Sequence, residues 1–342
     1  MSFADNRWTA FFAESPFRPK RGAAGPHRQT LLAYFLPRHY LARDARVEQL
    51  LFSVEDGSQL LAECHWQKDR EAHPTLVIVH GMEGSGRSGY ALGTADKAFH
   101  AGFNALRLNI RNCGGTEHLT PTLYHSGQSG DLRQIVGQLA RDFALPRIYI
   151  AGFSLGGNIC LKLAGEWAAE APPQVKGFAG VSPVVDLTAS WPYLEKPGVF
   201  LYRWQFVWSL RQRLRRKARL FPDRYDTSRL RGIRTVREFD SRYTAPHNGF
   251  RDAADYYARA SAAPLLSKIC LPTLILHSKD DPLVPSDPLT RPDVRSNPWI
   301  VPWITERGGH VGYLGSTPEP DPDDRWAENR LIQFFRLLEE SV

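Results

Sequence analysis

No run of about 18 consecutive apolar residues occurs in the chain, so a membrane-spanning helix is not expected. The opening stretch MSFADNRWTAFFAESPFRPK has no basic start followed by an apolar block, which argues against a secretory signal. Cysteine is scarce. The four present (Cys64, Cys113, Cys160 and Cys270) are scattered, without the spacing of a zinc site or a disulfide framework. They read as reduced thiols of a cytoplasmic protein. Internal repeats and low-complexity tracts are missing as well, which leaves an ordinary globular chain.

What is there fits one. Hydrophobic residues make up 42% and charged residues 23% of 342, enough to bury one large core and to carry an inserted subdomain. The net charge of +7 raises the question of an acidic partner. Six of the arginines and lysines, however, fall within RQRLRRKAR at 211–219, so the excess belongs to one segment and nucleic acid is not indicated.

Residues 1–45 are rich in proline, arginine and aromatics and read as an irregular arm packed on the core. Strands are predicted at about 47–53 and 59–66, joined by the turn Glu55-Asp56-Gly57-Ser58. Buried strands and helices then alternate: TLVIVH (75–80), a helix at 90–101, NALRLNI (104–110), a helix at 128–142, RIYIAG (147–152), a helix at 155–170 and VKGFAGVS (175–182). The rhythm stops over 183–265, an aromatic, basic, proline-punctuated stretch without a clear strand. It resumes with PTLILHS (272–278), PWIVPWIT (298–305) and a final helix at 323–340. The prediction is an α/β protein: a mostly parallel eight-stranded sheet with helices on both faces. Its core comprises residues 46–182 and 266–342, with a helical cap, 183–265, inserted after the sixth strand.

The chemistry centres on Gly152-Phe153-Ser154-Leu155-Gly156, where strand RIYIAG meets helix NICLKLAGEW. G-x-S-x-G recurs by chance, but between a strand and a helix it marks a nucleophile elbow, a turn tight enough to demand small residues on both sides of the serine. A neutral serine needs a base, and the base needs a group to hold its tautomer. In α/β-hydrolase folds these follow in the order Ser, acid, His. Asp281 lies just after PTLILHS, in HSKDDPLVP, with Asp280 as its rival. His310 follows PWIVPWIT in Arg307-Gly308-Gly309-His310-Val311-Gly312, where glycines let the backbone bend over the sheet edge. The expected catalytic set is Ser154, Asp281 and His310. The oxyanion donors are expected to be the amides of Leu155 and, in the loop His80-Gly81-Met82-Glu83-Gly84-Ser85, of Met82.

Gly84-Ser85-Gly86-Arg87-Ser88-Gly89 also matches G-x-G-x-x-G. Its first glycine comes four residues after the strand, too late to hold a pyrophosphate against the helix, and the next strand ends in Asn109-Ile110-Arg111 with no acid for a ribose hydroxyl. A dinucleotide enzyme is therefore not expected, and the triad calls for neither metal nor cofactor.

Several stretches resemble the YheT-like branch of the α/β hydrolases, also called AB hydrolase family four. They are His27-Arg28-Gln29-Thr30, HGMEGS, NIRNCGGTE, LYHSGQSGDL, FDSRYTAPHNGFRDAADYYARAS and the DDP and GGH loops. The likeness runs nearly end to end, with Asn112 where glycine is common and Ser241 where an acid is frequent. It implies hydrolysis of carboxylic esters, with short- to medium-chain acyl or lipid-like esters expected; eukaryotic members of the family act on medium-chain fatty esters or phospholipids, and some transfer the acyl group to an alcohol. A non-catalytic binding module that retained the fold is the alternative from another class. For FLYRWQFVWSLRQRLRRKARLF (200–221), the expectation is a cap helix with aromatics packed inward and arginines in water. The competing reading is a lid that meets lipid-like esters and makes weak contact with a membrane surface.

Overall fold

The computed structural model describes residues 15–38, 40, 46–55, 57–317 and 321–340. Its centre is an eight-stranded sheet: β1 (Val47–Val54), β2 (Ser58–His65), β3 (Thr75–Val79), β4 (Asn104–Leu108), β5 (Ile148–Phe153), β6 (Val175–Val181), β7 (Thr273–Ser278) and β8 (Ile300–Thr305). The strands lie in the order β1-β2-β4-β3-β5-β6-β7-β8. Five neighbouring pairs, from β4/β3 to β7/β8, run parallel, while β1/β2 and β2/β4 are antiparallel, so the sheet is mixed at one edge.

Eight helices of eight residues or more lie among the described residues: α1 (Pro26–Phe35), α2 (Gly89–His100), α3 (Ser129–Arg141), α4 (Leu155–Trp167), α5 (Leu187–Glu195), α6 (Phe200–Leu220), α7 (Ala253–Ala260) and α8 (Trp326–Glu339). Successive side chains of a strand point to opposite faces, and the two core layers follow that period of two. Val77, Val79, Ile148 and Ile150 pack with α3 and α4 on one face. Leu76, Ile78, Tyr149 and Ala151 pack with α2 and α8 on the other. Both faces are covered, which is why β3 and β5 read as continuous apolar runs instead of alternating ones.

Between β6 and β7 the described residues form helices and turns only, among them α5, α6 and α7. They carry small cores of their own, one built on Leu210, Leu214, Tyr225 and Phe239, the other on Phe250, Tyr256 and Tyr257.

The N-terminal stretch departs from the expected irregular arm. Residues 1–14, 39 and 41–45 of it lie outside the described residues, as does Asp56 of the predicted turn, but Pro26–Phe35 is a regular helix. Pro26 stands in its first turn, where the missing N–H costs nothing. Periodicity hides this helix because Gln29 and Ala33 are its buried residues, while Tyr34 and Phe35 are 79% and 73% exposed.

Candidate active site

Ser154 sits between β5 and α4 with φ 53° and ψ −119°, a left-handed conformation that a side chain adopts only under strong local constraint. The neighbouring glycines supply that constraint. A Cβ on Gly152 would lie 2.3 Å from the Gly156 carbonyl oxygen, and one on Gly156 would lie 2.4 Å from the Val79 and His80 carbonyl oxygens. No other residue fits either position without moving backbone.

The structure brings the three predicted side chains together. His310 Nε2 is 2.8 Å from Ser154 Oγ, and His310 Nδ1 is 2.8 Å from Asp281 Oδ2. The Asp281 side chain has no solvent exposure. Its other oxygen accepts the amides of Leu283 at 2.8 Å and Val284 at 3.0 Å. Burial works against its charge, but His310, His277 and the Leu283 amide outweigh burial and hold the carboxyl below its usual range.

Asp280, the rival acid, has different work. Its Oδ1 accepts the Gly309 amide at 2.9 Å and so fixes the loop that carries the histidine. Three further residues hold that loop, and sequence reasoning gave none of them a role. Thr30 Oγ1 accepts the His310 amide at 2.9 Å and donates to the Pro26 carbonyl. Ser182 Oγ accepts the Val311 amide at 3.0 Å. The buried Gln29 spans the Leu314 backbone, accepting its N–H and donating to its carbonyl. The sequence signal for Gln29 and Thr30 is the stretch His27-Arg28-Gln29-Thr30, which resembles the YheT-like branch; Ser182 has no such signal. Gly309 has φ 61°, and a Cβ there would lie 2.5 Å from the Pro26 carbonyl oxygen, so α1 presses directly on the histidine loop.

On the other side of the serine lies the turn Gly81-Met82-Glu83-Gly84. The Gly84 amide donates to the Gly81 carbonyl at 3.0 Å, and Glu83 has φ 58°. A Cβ on Gly81 would stand 3.1 Å from Ser154 Cβ, so the turn abuts the nucleophile. His80 steadies it. The Ile110 amide donates to Nε2 at 3.2 Å, which leaves the proton on Nδ1 to donate to the Gly81 carbonyl at 2.7 Å. Burial lowers the His80 pKa to about 4, so this ring stays neutral at pH 7. The Gly81 amide is taken by Tyr90 Oη at 2.9 Å. No hydrogen bond from the amides of Met82 or Leu155 to another group is found among the described residues.

A cavity of ≈ 1290 Å³ opens beside Ser154 and His310, lined by apolar side chains that include Leu123, Leu187, Trp191 and Phe206. It exceeds the usual volume of about 300–1,000 Å³ for a small-molecule site. At its mouth stand Leu31, Tyr34 and Phe35 of α1 and Leu201 and Trp204 of α6, all exposed.

Here the expected packing of α6 holds only in part: Tyr202 and Phe206 pack inward and Arg216 and Arg219 are exposed, but other positions are inverted. Phe200, Trp204 and Trp208, four residues apart on α6, are 55%, 62% and 49% exposed, while Arg213 and Lys217 are buried. The inward cations have acceptors from distant loops. Arg213 pairs with Glu83 at 2.9 Å and lies over the Tyr124 ring, and Arg216 outside it pairs with Glu117 at 2.6 Å. Lys217 donates to the carbonyls of Glu117 and Thr120, and burial pushes its pKa down to about 8. A helix can carry cations inward only where such acceptors wait, and nothing within the helix's own sequence shows them.

The glycines of the G-x-G-x-x-G stretch serve close packing. A Cβ on Gly86 would lie 2.7 Å from a Glu63 carboxylate oxygen, and one on Gly89 would lie 2.8 Å from Arg38 Nε. Among the described residues, no group of three His, Cys, Asp or Glu could hold a metal ion, and no helix is long and apolar enough to cross a membrane.

A mixed sheet covered on both faces, with a serine raised at a strand-to-helix elbow, defines an α/β hydrolase, and the chain belongs to that family: the alpha/beta hydrolase fold matches residues 74–310. Within it, the chain is 31% identical over 341 residues to the YheT protein of Escherichia coli (strain K12), covering 97% of this chain and 96% of that one. It is 30% identical to the monoacylglycerol lipase of Saccharomyces cerevisiae over 80% of this chain, but spans only 61% of that longer protein. Human phospholipase ABHD3 is 27% identical over 77% of this chain and 66% of its own length. Among solved structures, the Pyrococcus furiosus esterase Pf2001 superposes with a TM-score of 0.58 at 15% identity, over 88% of this chain and 97% of that one, a likeness of fold alone.

Proposed function

We propose that this protein is a serine ester hydrolase acting on carboxylic esters with an apolar, lipid-like acyl group. The observation that carries the reading is the unbroken relay from Ser154 Oγ through the His310 ring to Asp281, with 2.8 Å at each step. In the first half-reaction Ser154 Oγ attacks the ester carbonyl while His310 Nε2 takes its proton. Asp281, held ionised, stabilises the imidazolium. The amides of Met82 and Leu155 receive the oxyanion. His310 then protonates the departing alcohol, and in the second half it activates water against the acyl-enzyme. The chain's own residues supply every group these steps need.

The apolar cavity supports an acyl chain of some length, and the lipases among the relatives support lipid-like substrates. The exposed apolar mouth is suited to drawing such esters from a lipid surface, with the basic α6 alongside for weak contact with anionic headgroups. The residues 183–265 act as the cap that shapes this entrance. The four free cysteines agree with a reducing, cytoplasmic setting.

The test is a chain-length series of p-nitrophenyl esters together with labelling by a fluorophosphonate probe, for wild type and Ser154→Ala. Hydrolysis and labelling that both vanish in the variant are expected. Wild-type hydrolysis by Ser154→Ala would overturn the assignment. Added ethanol separates hydrolysis from acyl transfer: accumulation of ethyl ester would reassign the enzyme as an acyltransferase. A wild-type protein inert to the probe would mark a binding module.

A further inference from the structure

We infer that Arg213, on the cap helix α6, is a positioning residue for catalysis: through Glu83 it holds the turn that presents the Met82 amide to the oxyanion. The inference rests on the proposed hydrolase mechanism and adds a dependence of that site on the cap.

The turn Gly81-Met82-Glu83-Gly84 is closed by the Gly84 amide on the Gly81 carbonyl, and its third residue, Glu83, has φ 58°. Met82 keeps an ordinary negative φ, so the pattern is that of a type II turn, whose third position favours glycine. A glutamate placed there is strained, and it stays only if its side chain is held from outside. Two groups hold it. Tyr124 Oη donates to Glu83 Oε1 at 2.8 Å, and Arg213 Nη1 stands 2.9 Å from the same oxygen, with its guanidinium 4.8 Å from the Tyr124 ring centre. The charged partners are only 6% and 8% exposed. Burial raises the Glu83 carboxyl above its usual range, and Arg213 and Tyr124 pull it back.

Position decides what this pair does. Glu83 follows Met82 directly, so relaxation of its φ of 58° would reshape the turn on which the Met82 amide sits. The other fixings of the turn, His80 and Tyr90, act on Gly81 from within the sheet domain. Arg213 alone among these groups comes from the segment between β6 and β7. When α6 is seated the turn is locked. When α6 lifts, Glu83 loses its counter-charge, and the strained turn is free to relax away from Ser154. Hydrolysis is thereby tied to a closed cap.

The test uses the full-length protein and a short, soluble p-nitrophenyl ester, with each rate normalised to folded protein. Arg213→Met should lower kcat by ~10- to 100-fold with KM nearly unchanged, since misplacing one oxyanion donor acts on the transition state. Adding Glu83→Gly to it should recover most of kcat, because glycine takes the turn conformation unaided and leaves no unpaired carboxylate. A purely structural pair gives the opposite pattern: a lower melting temperature with wild-type kcat in Arg213→Met, which would overturn the inference. Should that variant not fold, Arg213→Lys decides, because the shorter fork-less cation should still cost several-fold in kcat; an unchanged kcat there refutes the link. Ser154→Ala is run in parallel. Hydrolysis surviving in it counts against the mechanism underneath, not against the tie between Arg213 and the turn.

Discussion

The sheet edge and the cap of this protein solve the burial of polar groups in opposite ways. At the sheet edge the polar groups of the site meet hydrogen-bond partners on neighbouring loops and on α1: Asp281 on His310 and two amides, Asp280 on Gly309, Thr30 on His310. On α6 of the segment between β6 and β7, two cations turn inward and three aromatic side chains turn out, with Arg213 and Lys217 buried and Phe200, Trp204 and Trp208 exposed. The first arrangement builds rigidity from many modest contacts. The second joins the cap to the core through a few buried charge contacts, each costly to break.

The largest effect that would sharpen the contrast lies at the sheet edge. Ser154→Ala and Asp281→Asn should each reduce kcat by ~10⁴-fold or more with unchanged circular dichroism, as read by ester hydrolysis. A loss below tenfold in Asp281→Asn would mean that His310 does not depend on its buried acid.

The second test lies in the cap interior and depends on pH. Asp240 is buried with Tyr257 donating to it at 2.9 Å, and burial raises its pKa from 3.8 to about 6. A carboxyl whose folded pKa is raised binds its proton more tightly in the native state, so stability is fullest below about pH 4 and declines as pH rises through about 6. Keeping this carboxylate ionised in the fold at neutral pH costs roughly 3 kcal/mol. Asp240→Asn should therefore gain stability relative to wild type between pH 4 and pH 7, measured by urea unfolding at both. An advantage that does not change with pH would show that Asp240 titrates normally.

Thr30→Val comes third. It keeps the shape of the side chain but leaves the His310 amide without its acceptor, a loss of about 1–3 kcal/mol. Expected are a kcat lowered by ~10-fold and a lower melting temperature. Wild-type kinetics would show that α1 does not steady the histidine loop. The smallest effect belongs to the exposed rim: Trp204→Ser should leave melting and turnover of a short soluble ester unchanged. It should slow hydrolysis of a long-chain ester presented in vesicles by ~2- to 5-fold. Equal loss on both substrates would place Trp204 in packing and not in delivery.

Much of the sheet domain was legible because its signals are local. Apolar runs of strand length, the glycines around Ser154, and loops carrying Asp281 and His310 after consecutive strands each declare themselves within a few residues. The strand ends lie within two residues of those predicted. α1 and the packing of α6 resisted for a shared reason: their buried residues include Gln29, Arg213 and Lys217, polar groups that no rule of apolar periodicity selects.

By itself, then, the order of residues determined the elements and the elbow and narrowed the candidate acid to Asp280 or Asp281, because strand and turn propensities act over short stretches. Only the tertiary structure decided which acid faces His310, that Thr30 supports it from 280 residues away, and which side of α6 is buried. Those outcomes depend on acceptors brought in from remote chain, and a hydrogen bond or ion pair exists only once both partners have been placed.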